Sequence, residues 1–228
     1  MKPVSTFFHE RKPGNIVIWT IALVAIAGIA ALVAWGMYSR ANSTPNSDGV
    51  VASVSESDWS AGNRDAGITL IEYSDFQCPA CAAYYPIVKQ LKSELGDQFL
   101  FVYRHFPLPQ HANAPVAAVA TEAAGTLGKF WEMHDQIFEH QTNWSSASDP
   151  RPQFADYAVL IGLDRDTFLR EMAVREHSSD VNSDYGSGRK AGVNSTPTFF
   201  LNGKKIDNPR SFEEFKSLIQ NATSPGTQ

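Results

Sequence analysis

Residues 68–91 read ITLIEYSDFQCPACAAYYPIVKQL, and the fold turns on how they are divided. Ile68 to Tyr73 is a short β-branched and aromatic run, the pattern of a buried strand. After it come Cys78 and Cys81, the only two cysteines in 228 residues. From Ala82 onward, Tyr85, Val88, Leu91 and Leu95 recur at helical spacing. The cysteines therefore fall where a strand passes into a helix. At the first turn of a helix the backbone N–H groups lack partners and the dipole is positive, so a thiolate at Cys78 is stabilised and its pKa falls from about 8.5 toward roughly 3.5–7.5. Cys78 is the expected attacking sulfur. Pro79 suits the first helical position, where its missing N–H costs nothing. With Ala80 completing the spacer, Cys81 lies one turn on and on the same face, able to close a disulfide with Cys78 or resolve a mixed one. Cys81 is expected to be the more buried. Glu72 interrupts the apolar strand six residues before Cys78; a buried carboxyl there with a raised pKa would take and return the Cys81 proton.

Outward from this segment, FLFVYRHF at 99–106 reads as a second strand stopped by PLPQ, which makes strand, helix, strand a parallel βαβ unit. Helical stripes follow. Val116, Val119, Ala120, Ala123 and Leu127 form one, and Phe130, Trp131, His134, Ile137 and Phe138 a second, with Gly125 and Gly128 marking the break. Phe154, Tyr157, Ala158 and Ile161 form a third, and Asp164 caps a fourth carrying Phe168 and Met172. TPTFFLNGKKI at 196–206 returns to strand character, with Asn202-Gly203 as a hairpin turn. SFEEFKSLIQ opens with a capping box, Ser211 with Glu214.

The N-terminus carries different information. Residues 13–39 hold no charge, and 16–38 are apolar over a length sufficient for a bilayer, which needs roughly 20 residues. A cleaved signal peptide has a shorter apolar core, so an uncleaved anchor over 15–38 is expected. Lys2, Arg11 and Lys12 precede it and only Arg40 follows closely, which places residues 1–14 in the cytoplasm and the rest outside. There disulfides persist. Residues 39–67 are rich in Ser, Asn, Asp and Gly and read as a flexible tether; 68–222 read as one domain, and 223–228 as a tail. The chain has 24 acidic and 19 basic residues and no basic stripe, which argues against nucleic acid. Zinc would need more ligands than CxxC supplies, and His105, His111, His134, His140 and His177 show no matching second pair. No metal is expected. His134 reads as a core histidine, while His105 and His111 read as bordering a loop.

EYSDFQCPAC, the long run YRHFPLPQHANAPVAAVATEAAGTLGKFWEMHDQIFEHQ and GVNSTPTFFLNGKKI together resemble the DsbA-like branch of the thioredoxin superfamily in its membrane-anchored bacterial form. The similarity runs from about Ile68 to Ile219. It implies an α/β thioredoxin fold with an inserted helical subdomain at about 112–192, in keeping with the roughly 90 residues between the second strand and TPTFF. It further implies a cis Pro197 beside the cysteines, with Thr196 offering its backbone to substrate. The implied activity is thiol:disulfide exchange with no cofactor beyond the cysteine pair. Its implied partners are thiol-containing exported proteins and an integral-membrane, quinone-linked oxidase. Pro79-Ala80 departs from the Pro-His of DsbA, which implies a potential below about −120 mV and above thioredoxin's, about −270 mV. Two other functions compete: a reductase or isomerase on the same fold, and a tethered chaperone whose disulfide is only structural.

Overall fold

The computed structural model describes residues 14–41, 51 and 53–222, with side chains of the first helix followed at Ile21 and 23–35. That helix, α1 (Gly14–Ala41), is 28 residues long and exposes Leu23, Ile26, Leu32 and Trp35 among others. Among the described residues no helix is long and apolar enough to cross a membrane. The flanks 1–13 and 42–50, part of the expected tether, and the tail 223–228 lie outside the described residues.

The second unit is a five-stranded sheet between helices. Its strands are β1 (Trp59–Gly62), β2 (Thr69–Ser74), β3 (Leu100–His105), β4 (Thr198–Leu201) and β5 (Lys204–Lys205), in the order β1-β3-β2-β4-β5. β2 and β3 are parallel, joined by α2 (Pro79–Leu95), and every other pairing is antiparallel. Between β3 and β4 lie six helices, α3 (Ala114–Thr126), α4 (Phe130–Glu139), α5 (Gln141–Trp144), α6 (Arg151–Leu160), α7 (Arg165–Glu171) and α8 (Arg175–Lys190). The chain ends in α9 (Phe212–Asn221).

Strand alternation divides the core. Leu70, Phe101, Tyr103 and Phe199 face α2, α9 and most of the insertion, while Ile71, Val102 and Phe200 form a smaller cluster with Ala191 and Val193. Local signals set several boundaries. Asn202 (φ 49°) and Gly203 (φ 79°) make the left-handed turn between β4 and β5. The Ser211 side chain accepts from the Glu214 N–H, but the Glu214 carboxylate reaches back to the N–H of Arg210, one residue beyond a reciprocal capping box.

Two expectations need correction. The tether reading of 39–67 runs too far, because Trp59–Gly62 pairs with Leu100–Tyr103 as β1. WSAG has no periodicity of its own; its partner makes it a strand. Trp59 stacks on Phe130 with centroids 4.3 Å apart and donates its indole N–H to Glu122 at 2.8 Å. Gly125 does not break the helices either. It lies within α3, where an added Cβ would stand 2.3 Å from the Trp59 ring, and Gly128 (φ 78°) turns the chain before α4. A glycine at 125 thus reports close packing of β1, not a turn.

Candidate active site

Cys78 is the N-cap of α2, with φ −73° and ψ 122°, and Pro79 takes the first helical position. Pro79 and Ala80 are exposed, Cys78 is 7% exposed and Cys81 fully buried. Both thiols are free. They differ sharply in acidity. A hydrogen bond from the Cys81 thiol is the largest influence on Cys78, and with the N–H groups of Ala80 and Cys81 it outweighs burial and brings Cys78 down to about 5. Burial drives the Cys81 thiol well above its ordinary value, with the Cys78 and Glu72 charges adding to it. One sulfur is therefore the thiolate at neutral pH and the other keeps its proton.

The Thr196-Pro197 peptide bond is cis and lies against the cysteines. Cys78 Sγ lies 3.4 Å from the Thr196 carbonyl oxygen, to which it donates only while protonated, and the Pro197 carbonyl is held by the Asn208 amide at 2.8 Å. The structure thus assembles all seven residues singled out in the sequence at one end of the sheet or in the strand beneath it. Glu72 is in that strand. Opposite Tyr103 and Phe199 in the register and only 4% exposed, it has its carboxyl pushed by burial up to about 7, against the pull of Lys92.

Glu72 yields a prediction. Its folded pKa is raised, so between pH 4.5 and about 7 the folded state keeps a proton that the unfolded state releases, and stability falls as pH rises through that window. At about 1.4 kcal/mol per pKa unit, Glu72→Gln is expected to stabilise the reduced protein by about 3 kcal/mol above neutral pH and to change little at acid pH. The same variant should slow proton transfer at Cys81, lowering exchange on the order of 10²-fold. Denaturant unfolding at acid and alkaline pH, beside stopped-flow exchange, measures both.

A polar frame around the cysteines was not visible in the sequence. The fully buried Asp75 carboxylate accepts the N–H groups of Gln77 (2.7 Å) and Leu108 (2.8 Å) and meets His111 Nδ1 at 2.7 Å, while the Asp75 N–H points at Cys81 Sγ, 3.5 Å away. Gln77 donates to Ser145 O and accepts from the Asn113 N–H, both at 2.7 Å. Apart from the Asp75–Gln77 contact, two residues apart, no local spacing links these residues. His105 ends β3 at the border of the following loop, as expected, but is buried, 1% exposed, with Nε2 2.9 Å from Glu122. His134 sits in the core as expected, among Phe76, Tyr103 and Phe138, and burial lowers it to about 4, leaving it neutral. The zinc reading gains no further ligand. Among the described residues, the groups close enough to share an ion are Glu122, His177 and Asp180, and neither cysteine belongs with them.

An acidic thiol at Cys78, a buried thiol at Cys81 and a cis-proline beside them on this sheet make an arrangement whose chemistry can exchange thiols and disulfides through the cysteine pair. A family model described as thioredoxin matches residues 54–221, and the chain belongs to that family. Its DsbA-like architecture recurs in solved structures. BdbD from Bacillus subtilis superposes with a TM-score of 0.66 at 24% identity, over 76% of this chain and 97% of that one. For alpha-DsbA1 of Wolbachia pipientis the TM-score is 0.65 at 21% identity, over 73% and 91%. MdbA, a thiol-disulfide oxidoreductase from Actinomyces oris, gives 0.61 at 17%, over 78% and 94%. At these identities the likeness shows the fold. Curated relatives include the Na(+)/H(+) antiporter NhaA 1 of Mycolicibacterium gilvum, 39% identical over 161 residues, covering 68% of this chain and 25% of that protein. The protein of the same name from Salinispora arenicola is 36% identical over 162 residues, covering 71% and 24%. The chain spans about a quarter of the length of these relatives.

Proposed function

We propose that this protein is a membrane-tethered donor of disulfides to exported proteins. One observation carries the direction: Cys78 is held at about 5 at the N-terminus of α2. A thiolate so stabilised favours the reduced pair, and a pair whose reduced form is favoured is an oxidant toward substrate. A substrate thiolate attacks Cys78 Sγ of the oxidised enzyme, the bond to Cys81 breaks, and Cys81 leaves as a thiolate that takes a proton from Glu72. A second substrate thiolate then attacks the substrate sulfur of the mixed disulfide and Cys78 departs as thiolate. Two electrons pass from substrate to enzyme, and a quinone-linked integral-membrane oxidase is the class of partner that would remove them. Thr196, exposing its backbone beside Cys78, and Pro197 receive the substrate strand.

The uncharged run at 15–38 supports anchoring with residues 1–14 in the cytoplasm and the catalytic domain outside. That a similar segment is part of proteins named as Na(+)/H(+) antiporters supports work at a membrane. The redox potential of the full chain in detergent, titrated with glutathione, tests the direction. A value above about −180 mV with a Cys78 pKa below 6 is expected, and one below about −240 mV would make the protein a reductase.

A further inference from the structure

We infer that Gln141 is a positioning residue for disulfide exchange: its side-chain amide, held by the helical insertion, fixes the Phe76 and Cys78 carbonyls and with them the helix turn against which the Cys78 sulfur reacts. Gln141 Nε2 donates to Phe76 O at 2.7 Å and to Cys78 O at 3.0 Å, so one NH₂ group bridges the Phe76–Gln77 and Cys78–Pro79 peptides. The Cys78 carbonyl is also the acceptor of the first intrahelical bond, from the Ala82 N–H at 3.1 Å. Any rotation of that carbonyl moves the N-cap residue and the N–H groups of Ala80 and Cys81 relative to Sγ. Those N–H groups are part of what stabilises the thiolate.

Gln141 is not needed to hold its own helix. α5 is anchored by Trp144, fully buried, whose indole N–H donates to Ile137 O at 2.8 Å. The amide donors of Gln141 are directed instead at the loop before α2. One further amide braces the same junction, Gln77 Nε2 on Ser145 O at 2.7 Å, and Asn113, whose N–H donates to Gln77 Oε1, ties its own amide to Ala147 O at 2.8 Å within the insertion. Residues 141–147 of the insertion thereby grip residues 76–78 at three places. The insertion acts on the cysteine pair through hydrogen bonds to its backbone.

The inference rests on exchange at Cys78 and not on the direction of electron flow. Its test compares the full-length wild type with Gln141→Ala, the isosteric Gln141→Glu, which has no N–H to donate, and Thr142→Ala, an exposed neighbour on α5. Three quantities are read: the equilibrium constant with glutathione, the pH midpoint of Cys78 thiolate absorbance, and the thermal midpoint. Both Gln141 variants are expected to raise the thiolate midpoint by about one unit and to change the glutathione constant about tenfold, ~30 mV toward reducing. Thr142→Ala should move neither. Gln141 variants that fold and stay within twofold of the wild type in both redox readouts would overturn the inference, whatever their thermal midpoints. A wild type that exchanges no disulfide would instead overturn the enzymatic reading. Should both variants fail to fold, the wild-type Gln141 side-chain amide decides by NMR. Its protons should be protected and shift with the Cys78 titration; protons exchanging at solvent rates would rule the role out.

Discussion

Replacing Cys78 by serine is expected to abolish exchange, by 10³-fold or more on the order of a lost nucleophile, while Cys81→Ser is expected to trap substrate as a stable mixed disulfide. The asymmetry follows from the site. Cys78 is the sulfur held near 5, at a helix N-terminus and 3.4 Å from the Thr196 carbonyl oxygen, so at neutral pH it alone is both ionised and placed where a substrate strand is proposed to dock. A serine hydroxyl at 78 would not ionise in the working range, and the buried Cys81 cannot replace it. In Cys81→Ser the attacking sulfur remains, and a hydroxyl can replace much of the hydrogen bond that the Cys81 thiol provides. What is lost is the internal sulfur that can expel a bound substrate by closing the bond to Cys78, so only a further thiol from outside the pair can release it. Mass spectrometry of the two reduced variants, incubated with an unfolded protein that carries a disulfide, reads the outcome directly: Cys78 of Cys81→Ser attacks one substrate sulfur and stays bonded to it while the other leaves as thiolate, whereas Cys78→Ser gives no adduct. Adducts in equal yield from both would invalidate the assignment of roles. A double serine variant that retained function in cells would favour the chaperone alternative.

The second large effect is far from the sulfurs. Asp58→Ala is expected to cost about 3–5 kcal/mol of stability, the usual consequence of removing one partner of a buried ion pair. Arg104 meets Asp58 in a two-pronged contact, Nε to Oδ1 at 2.8 Å and Nη2 to Oδ2 at 2.9 Å, and their side chains are 4% and 6% exposed. Its other nitrogen donates to the Tyr73 hydroxyl at 3.0 Å, so the guanidinium cannot swing out to water without undoing a second contact. At roughly 2–4 °C per kcal/mol for a domain of this size, the thermal midpoint should fall by about 10 °C. Burial by itself would raise the Asp58 carboxyl, but bonds from Arg104 and Ser55 reverse this and hold it below 3.8. The contribution of the pair is then fully present above pH 3.8 and lost as pH falls through the lower folded value, while Arg104 does not titrate. Wild type and Asp58→Ala should accordingly converge in stability under strongly acid conditions. Replacing both partners by apolar residues of similar volume should recover much of the loss. A thermal midpoint unchanged at neutral pH would show that β1 and its leading segment do not depend on this pair.

Arg104 and Asp58 also mark where reading the sequence stopped. CPAC between a β-branched run and a 3.6-residue periodicity specified β2, α2 and the order of the two sulfurs, because helix caps, proline at the first turn and apolar spacing act over three or four residues. Asn202-Gly203 and Ser211 with Glu214 were legible for the same reason, and the resemblance carried by the long middle stretch supplied Thr196 and Pro197. Nothing local distinguishes WSAG from the polar residues before it. It becomes a strand because β3 offers a free edge, Gly125 leaves room for Trp59, and the Arg104 charge needs Asp58. Likewise nothing local marks Gln77, Asn113 or Gln141 until the fold brings residues up to 68 positions apart within hydrogen-bonding distance. A periodic apolar face announces its burial, since every turn repeats it. A single polar side chain paired across the fold repeats nothing, and only the tertiary structure shows which carbonyl it holds.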